Sequence, residues 1–381
     1  MPLKIRPQRT YQRRDAPLRL LADAARRRIK RPLKEALALL DDNFDVEIAI
    51  RLARSGRWSE ISREAIRWGH FREVLREPFG RMADAHQAGS ALAVRRINRA
   101  FQRQGRSVMF GKKSPGPGTG GVGGTGPGAV EGGSPEGDAV KIAGWQPLRK
   151  AAGDRFNFDR FDPATQAFMR AEQDRLIREL EATARATINS EVQAAMRAGV
   201  GPGAIVGEIR SVIGLTDRQA QAVRNYRAML ETLDPQALAR QLRNPQYDAA
   251  FQSAIADGTY LGDAMIEEMV ADYEDRYLDY RADTIAGTES VRMTNQGLQD
   301  AYRQAIDRGA LPADAVRQFW EVDLDERTCE ICVSIPDMNP DGVPIGEPFD
   351  SEDGPQDGPP IHPNCRCSVD IVTDISMVPE D

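Results

Sequence analysis

Cysteine is scarce in this chain and is confined to one place. The 381 residues contain four cysteines, and all four lie between Cys329 and Cys367. The N-terminus has no apolar leader of the kind that directs secretion, so we expect a protein made in a reducing cytosol. Clustered cysteines in that compartment are more typical of metal binding than of a disulfide framework.

Long apolar runs and aromatic residues are also in short supply. No run approaches the roughly 18 residues that a membrane-spanning helix needs, and we expect no membrane partner. Aromatic residues make up 6% of the chain, while Ala, Arg, Gln and Glu are abundant, which favours helices over sheets. The pattern contains no Ser/His/Asp nucleophile constellation and no Gly-rich nucleotide loop, and it predicts a protein that is not an enzyme.

The two parts of the chain carry opposite charge. Residues 1–113 contain 27 Lys and Arg against 12 Asp and Glu, whereas residues 114–381 contain 24 against 45. Such segregation predicts a polyanion, chiefly DNA bound without sequence preference, as the partner of the basic part. The side chains expected to approach phosphates are Arg26, Arg27, Arg28, Lys30, Arg31, Arg95, Arg96, Arg99 and Arg103. The alternatives are a solvated basic face or one that docks on an acidic protein, because no groove-reading motif is present.

Hydrophobic periodicity divides the chain into four segments. They are a basic helical domain at 1–113, a Gly/Pro-rich flexible linker at 114–137, an all-α domain at 138–314 and a small β module at 315–381. The all-α domain contains two long predicted helices, one beginning after Asp162 and reaching about Ala198, the other running from about Asp263 to Arg308. The expected fold is mainly α: a helical bundle with long helices plus a small C-terminal β-hairpin that carries zinc knuckles.

The last segment shows the two-residue period of β-strands. Apolar and polar residues alternate at 320–324 and again at 367–371. We expect these two strands to pair in antiparallel fashion, with all the cysteines at one end of the ladder. The segment between the knuckles is acidic and rich in Pro and Gly, and we expect it to be an exposed loop.

Five soft donors flank this predicted loop. Cys329 and Cys332 form a C-x-x-C pair, His362 and Cys365 form an H-x-x-C pair, and Cys367 follows. Two close-spaced pairs on either side of a loop suit a tetrahedral zinc ion. The matched spacing favours Cys329, Cys332, His362 and Cys365 as ligands, with Cys367 as a substitute or a core thiol. Four protein ligands make a closed, structural site. A disulfide-capable cluster and free thiols remain the alternatives.

A polar motif lies on the second long helix. Arg281, Thr288 and Glu289 fall on one side of it, and Arg292 follows Glu289 by three residues. A catalytic carboxylate is one interpretation of Glu289. The interpretation that we favour is a polar set that fixes helix packing.

Four stretches of this chain resemble one protein family. Residues 320–332, which begin at Trp320, and residues 359–367 carry the five donors and their Asp-Glu-Arg-Thr and Pro-Pro flanks, and they resemble the C-terminal signature of the phage Mu protein F-like head morphogenesis proteins. Residues 281–289 resemble that family's RA..IA.TE helix, and residues 215–220 its LT..QA helix start. The resemblance covers about residues 155–374. It departs at Gly287, where the family usually has arginine.

The resemblance implies a minor capsid protein of a tailed bacteriophage with a structural role in head assembly. Its implied partners are the portal protein, the major capsid or scaffold protein and packaged double-stranded DNA. Its implied location is the interior of the capsid near the portal vertex, and the host cytoplasm during assembly. Two functions of other classes stay open: a zinc-dependent nuclease or peptidase acting in head maturation, and a DNA-binding regulator that uses the knuckles.

Overall fold

The computed structural model describes residues 16–110, 156–197, 212–322 and 328–374, together with 199, 201, 204, 207, 209 and 210. The predicted linker at 114–137 lies outside the described residues, as do the first residues of the predicted all-α domain. Within the described part the fold is 70% helical with a small three-stranded antiparallel sheet near the C-terminus, which confirms the mainly α prediction. No helix there combines the length and apolar character needed to cross a bilayer.

Ten helices of the described chain are numbered here in chain order. They are α1 (Ala16–Asp42), α2 (Val46–Arg54), α3 (Ile61–Glu64), α4 (Trp68–Val74), α5 (Arg76–Phe110), α6 (Pro163–Arg197), α7 (Asp217–Glu231), α8 (Asp248–Asp257), α9 (Asp263–Asp307) and α10 (Glu330–Met338). The two long helices expected from periodicity are α6 and α9, and their predicted ends are confirmed within one residue.

Helix α9 is the axis on which the other helices assemble. Helices α1 and α5 pack along it, and α7 packs against its first half. The predicted basic domain and the predicted all-α domain share one hydrophobic core, in which Leu37 and Phe71 belong to the same buried cluster as Leu180, Ile188 and Met293. The N-terminal helices are therefore one body with the helices that follow the linker.

Two glycines allow α5 and α9 to cross at very short range. A Cβ at Gly89 would overlap the carbonyl oxygen of Thr294, and a Cβ at Gly297 would overlap the carbonyl oxygen of His86. His86 is buried at this crossing, and its Nε2 lies 2.9 Å from Oδ2 of Asp300 on α9. The crossing thus joins backbone contact with a buried polar pair that sequence periodicity did not predict.

The predicted hairpin is the larger part of a three-stranded sheet. Strands β1 (Val316–Glu321) and β3 (Ser368–Thr373) pair in antiparallel fashion, as expected, with Trp320 opposite Val369, although β1 begins four residues before the strand predicted at 320–324. The two-residue strand β2 (Val343–Pro344) pairs with the other edge of β1, so the strand order is β2-β1-β3. The predicted pairing is confirmed, and the prediction of a simple hairpin is corrected by the third strand.

The segment between the knuckles is more ordered than the sequence predicted. It contains α10 and β2, and the ring of Phe349 is fully buried in a T-shaped contact with Trp320, with 5.4 Å between centroids. Asn339 holds the segment together, since its amide donates to the carbonyl of Asp350 at 2.9 Å and accepts from the backbone N–H of the same residue at 3.0 Å. The acidic residues of the segment are exposed, as expected, but its backbone is fixed by a helix, a short strand and a few buried residues.

Candidate metal centre and its attachment to the helices

The first pair of donors lies at the N-terminus of α10. Cys329 is the N-cap residue, and its Sγ accepts the backbone N–H of Cys332 at 3.4 Å. The free N–H groups at a helix N-terminus favour negative charge on a nearby ligand atom. Cys332 lies one turn into the helix and is 1% exposed. This helix was not predicted, because cysteine is not among the usual N-cap residues.

The second pair of donors lies on a tight turn before β3. The backbone N–H of Cys365 donates to the carbonyl of His362 at 3.2 Å, and Asn364 between them has a φ of 59°. Asparagine is one of the residues that tolerate this left-handed conformation. The Nδ1 of His362 lies 3.0 Å from the carbonyl of Pro363, to which it donates in the tautomer that leaves Nε2 free for a ligand bond.

All five predicted donors meet in one cluster. The Nε2 atom of His362 lies 3.3 Å from the Sγ of Cys329 and 3.3 Å from the Sγ of Cys332, and the Sγ atoms of Cys332 and Cys365 are 4.0 Å apart. The donors form two triads that share Cys332, with Cys329 and His362 in one and Cys365 and Cys367 in the other. Ligands of a tetrahedral zinc ion lie roughly 3.5–3.8 Å from each other, so the cluster can hold a metal ion.

The thiols of the second triad interact strongly with each other. Hydrogen bonds from Cys332 and Cys367 lower the pKa of the Cys365 thiol, and the hydrogen bond to Cys365 raises the pKa of the Cys332 thiol. The four cysteines are free thiols in this structure. Close thiolates repel one another in a buried site, and a bound cation removes that repulsion.

An apolar shell encloses the cluster. Cys332, Cys365 and Cys367 are each at most 5% exposed and belong to one buried group with Trp320, Ile335, Phe349 and Val369. This shell separates most of the donors from water. Enclosure of this kind is typical of a structural metal site, since a catalytic ion needs an accessible coordination position.

Hydrogen bonds attach the donor-bearing segment, from Cys329 to the end of β3, to α9. The backbone N–H of Asn364, within the second knuckle, donates to Oγ1 of Thr288 at 3.0 Å. The backbone N–H of Val369 on β3 donates to Oδ1 of Asn295 at 2.8 Å. Thr288 was singled out by the sequence motif, whereas Asn295 was missed. The only available signal for Asn295 was a polar residue at a core-facing position of α9.

Arg281 and Glu289, the other two residues of the polar motif on α9, form hydrogen bonds with the helical part of the fold instead of with the donor-bearing segment. Arg281 is buried and donates through Nη1 to the carbonyl of Gly214, and burial lowers its pKa to about 10. Glu289 accepts from Nη2 of Arg175 at 2.7 Å, and burial raises the pKa of its carboxyl. These contacts join α9 to α6 and to the segment that precedes α7. They agree with the helix-packing interpretation that we favoured.

The predicted phosphate-contacting residues divide into two groups. Arg26, Lys30 and Arg96 form ion pairs with Asp283, Asp279 and Asp370, and the exposed Arg31 pairs with Glu35. Arg27, Arg28, Arg95 and Arg99 are exposed. Arg103 lies in α5, and its side chain is outside the described part. Part of the basic charge is therefore neutralised within the chain.

Comparison with known proteins adds no relative. No family model, curated protein or solved structure matches the chain. A function for this chain therefore has to be inferred from its own residues and from the contacts between them.

Proposed function

We propose that this chain is a minor capsid protein with a structural role in the head assembly of a tailed phage. The observation that carries the proposal is that hydrogen bonds bring together the stretches resembling the Mu protein F-like family, within them or at the adjoining residue. Arg281 of the RA..IA.TE stretch binds the carbonyl of Gly214, directly before the LT..QA stretch and 67 positions away. Thr288 of the same stretch binds Asn364 of the second knuckle, 76 positions away. Stretches that recur together in a family are expected to form one packed unit.

The second part of the proposal is that the cluster holds a single zinc ion. Thiolate and imidazole donors suit zinc, and the five donors exceed the four that a closed tetrahedral site requires. Zinc would hold the start of α10 and the turn before β3 together. Because the protein supplies every ligand, such an ion fixes shape and offers no position for a substrate water.

The same features count against the alternative of a zinc-dependent nuclease or peptidase. Hydrolysis needs an open coordination position and a nearby general base. The carboxylate that the sequence offered for that role, Glu289, is paired with Arg175. The Thr288 hydroxyl beside it accepts the backbone N–H of the knuckle. We infer an assembly protein that is not an enzyme.

The negative charge of the segment between Cys332 and His362 indicates the class of partner that this part of the protein contacts. Exposed carboxylates surround it, among them Asp341, Glu347, Glu352, Asp353 and Asp357. Such a surface repels phosphates, so it does not suit a DNA-binding regulator that uses the knuckles. It suits a basic surface on the portal protein or on the major capsid or scaffold protein. Packaged DNA would instead contact the exposed arginines of α1 and α5.

A test in assembled particles examines the proposal directly. The chain is tagged in its own phage or prophage, particles are purified, and its copies are counted against the portal protein by quantitative mass spectrometry. We expect a few copies per head, with cross-links to the portal. Cys329→Ser should lower incorporation, whereas Val333→Ser, an exposed change on the same helix, should not. Absence of the chain from filled and empty heads would refute the assignment.

A further inference from the structure

Trp320 carries an unsatisfied buried group beside the metal cluster. The residue is 3% exposed, and its buried indole N–H has no hydrogen-bond partner of ordinary geometry among the residues that the structure describes. Buried donors are nearly always satisfied in folded proteins, because an unpaired one loses its bond to water. An acceptor is therefore expected close to this nitrogen.

The strand register brings the sulfur of Cys367 close to this N–H. Trp320 pairs with Val369 across the β1–β3 ladder, and Cys367 precedes Val369 by two residues. Residues two apart on a strand point to the same face, and a diagonal neighbour is within reach of an aromatic side chain. Trp320, Cys367 and Val369 are all buried in the same cluster.

Cys365 and Cys367, which share the second triad with Cys332, are held by different parts of the fold. Cys365 lies on the turn with His362, and its Sγ is 4.0 Å from that of Cys332. Cys367 instead lies directly before β3, and the strand is anchored by the bond between Val369 and Asn295. A tetrahedral ion takes four of the five donors, so one thiol is left over.

We propose that Cys329, Cys332, His362 and Cys365 bind the ion, and that Cys367 is an unbound second-layer thiol. The sulfur of Cys367 accepts the indole N–H of Trp320, and its S–H donates to the Sγ of Cys365. This inference rests on the proposed zinc site and deepens it. Trp320 and Cys367 act as positioning residues: they fix the Cys365 sulfur and draw off part of its negative charge, as outer-layer partners of metal ligands do.

Ligand identity can be read directly by loading the full chain with ¹¹³Cd²⁺, a spectroscopic substitute for zinc. With cysteine as the only ¹³C-labelled residue, four β-methylene signals are expected. Those of Cys329, Cys332 and Cys365 should show scalar coupling to ¹¹³Cd, and that of Cys367 should not. Coupling to Cys367 with loss of coupling to Cys365 would overturn the inference. This measurement uses the parent chain and needs no variant to fold.

Two variants test the positioning role. Trp320→Phe and Cys367→Ala should each weaken zinc binding roughly 10–100-fold in competition with a chelator, while one ion per chain is retained at saturation. Cys367→Ser keeps a hydroxyl that can donate a hydrogen bond, and it should lose less zinc affinity than Cys367→Ala. Unchanged zinc affinity in both Trp320→Phe and Cys367→Ala would refute the proposal that these two residues position the Cys365 sulfur. A parent chain that takes up neither Zn²⁺ nor Cd²⁺ would instead refute the metal site in the proposed function, so the two failures are distinguishable.

Discussion

The ammonium of Lys30 on α1 lies 2.8 Å from Oδ2 of Asp279 on α9, although the two residues are 249 positions apart in the chain. One turn away on either side, Lys34 pairs with Asp275, and Arg26 pairs with Asp283. The three pairs form a ladder between antiparallel helices. A share of the opposite charges of the two chain segments is thus matched inside the fold.

Reversing the charge of one residue in this ladder should lower stability, and reversing the charge of its partner as well should restore it. Asp279→Lys places three basic groups against each other and should lower the melting temperature, and Lys30→Asp combined with Asp279→Lys should recover most of the loss. The pairs are partly exposed, so the coupling is expected to be about 0.2–1 kcal/mol. Thermal unfolding of the two single variants and the double variant, at low and high salt, measures it. A double variant no better than Asp279→Lys would contradict the ladder.

Removal of the proposed zinc ion should destabilise the C-terminal segment from Cys329 to β3 more than the helices. A chelator should lower the melting temperature of the parent chain and raise amide exchange at 329–367, because binding free energy at such a site is folding free energy. Cys329→Ser should reproduce the effect without a chelator. The matched change Val333→Ser leaves all five donors in place and should respond to the chelator like the parent. Equal stability with and without chelator would exclude a structural ion.

The close crossing of α5 and α9 predicts opposite effects for two glycine substitutions. Gly297→Ala should destabilise the fold by about 1–3 kcal/mol or more, because its Cβ would overlap the carbonyl of His86 and force the helices apart. Gly80→Ala, also in a long helix but with open space around its Cβ, should be neutral or stabilising by up to about 1 kcal/mol. Chemical denaturation compares the two. A tolerated Gly297→Ala would show that the crossing is wider than described.

Glu274 on α9 should make stability depend on pH. Burial, with the nearby charges of Asp41 and Asp275, raises the pKa of its carboxyl to about 8 from the usual 4.5. Between these values the folded chain holds a proton that the unfolded chain has released, so this carboxyl lowers stability as pH rises from about 4.5 to 8. Glu274→Gln should be more stable than the parent at pH 8.5 and should lose less stability between pH 6 and 8.5. Parallel pH curves for the two proteins would contradict the assignment.

Binding to DNA should be weak, independent of sequence and sensitive to salt. The full chain is needed for this test, because the N-terminal helices share their core with α9. Arg27→Gln with Arg28→Gln should reduce affinity for double-stranded DNA and lower the salt slope by roughly 1–2. Arg197→Gln, an exposed arginine outside the predicted set, serves as the control. Binding that does not vary with salt, or none at all, would remove DNA from the proposed partners.

Local chemistry made the helix starts predictable. The Thr216–Gln219 capping box forms both of its bonds, and Asp162 accepts the backbone N–H of Thr165 at 3.1 Å at the start of α6. The pairing of β1 with β3 followed from alternation alone. The helix caps and the alternation within each strand depend on residues within a few positions of one another, so a pattern read along the sequence contains them.

The features that could not be predicted from the sequence depend on contacts between residues far apart in the chain. The His86–Asp300 pair joins residues 214 positions apart, and each looks like an ordinary polar residue of its own helix. The shared core likewise spans the predicted linker. At the metal centre the five donors were predictable from their spacing, while the N-cap role of Cys329 and the contacts of Trp320 were not, since they depend on how the sheet and α10 meet.

The shared core also determines the order in which this chain can fold on a ribosome. Helix α1 finds its ladder partners only when α9 has been made, 249 positions after Lys30. The N-terminal helices must therefore wait, with part of their apolar surface uncovered, through most of synthesis. Contacts of such long sequence separation slow folding and expose intermediates to aggregation. Truncation before residue 263 should therefore yield an N-terminal product that depends on chaperones, and its recovery in soluble form should require α9 supplied in full.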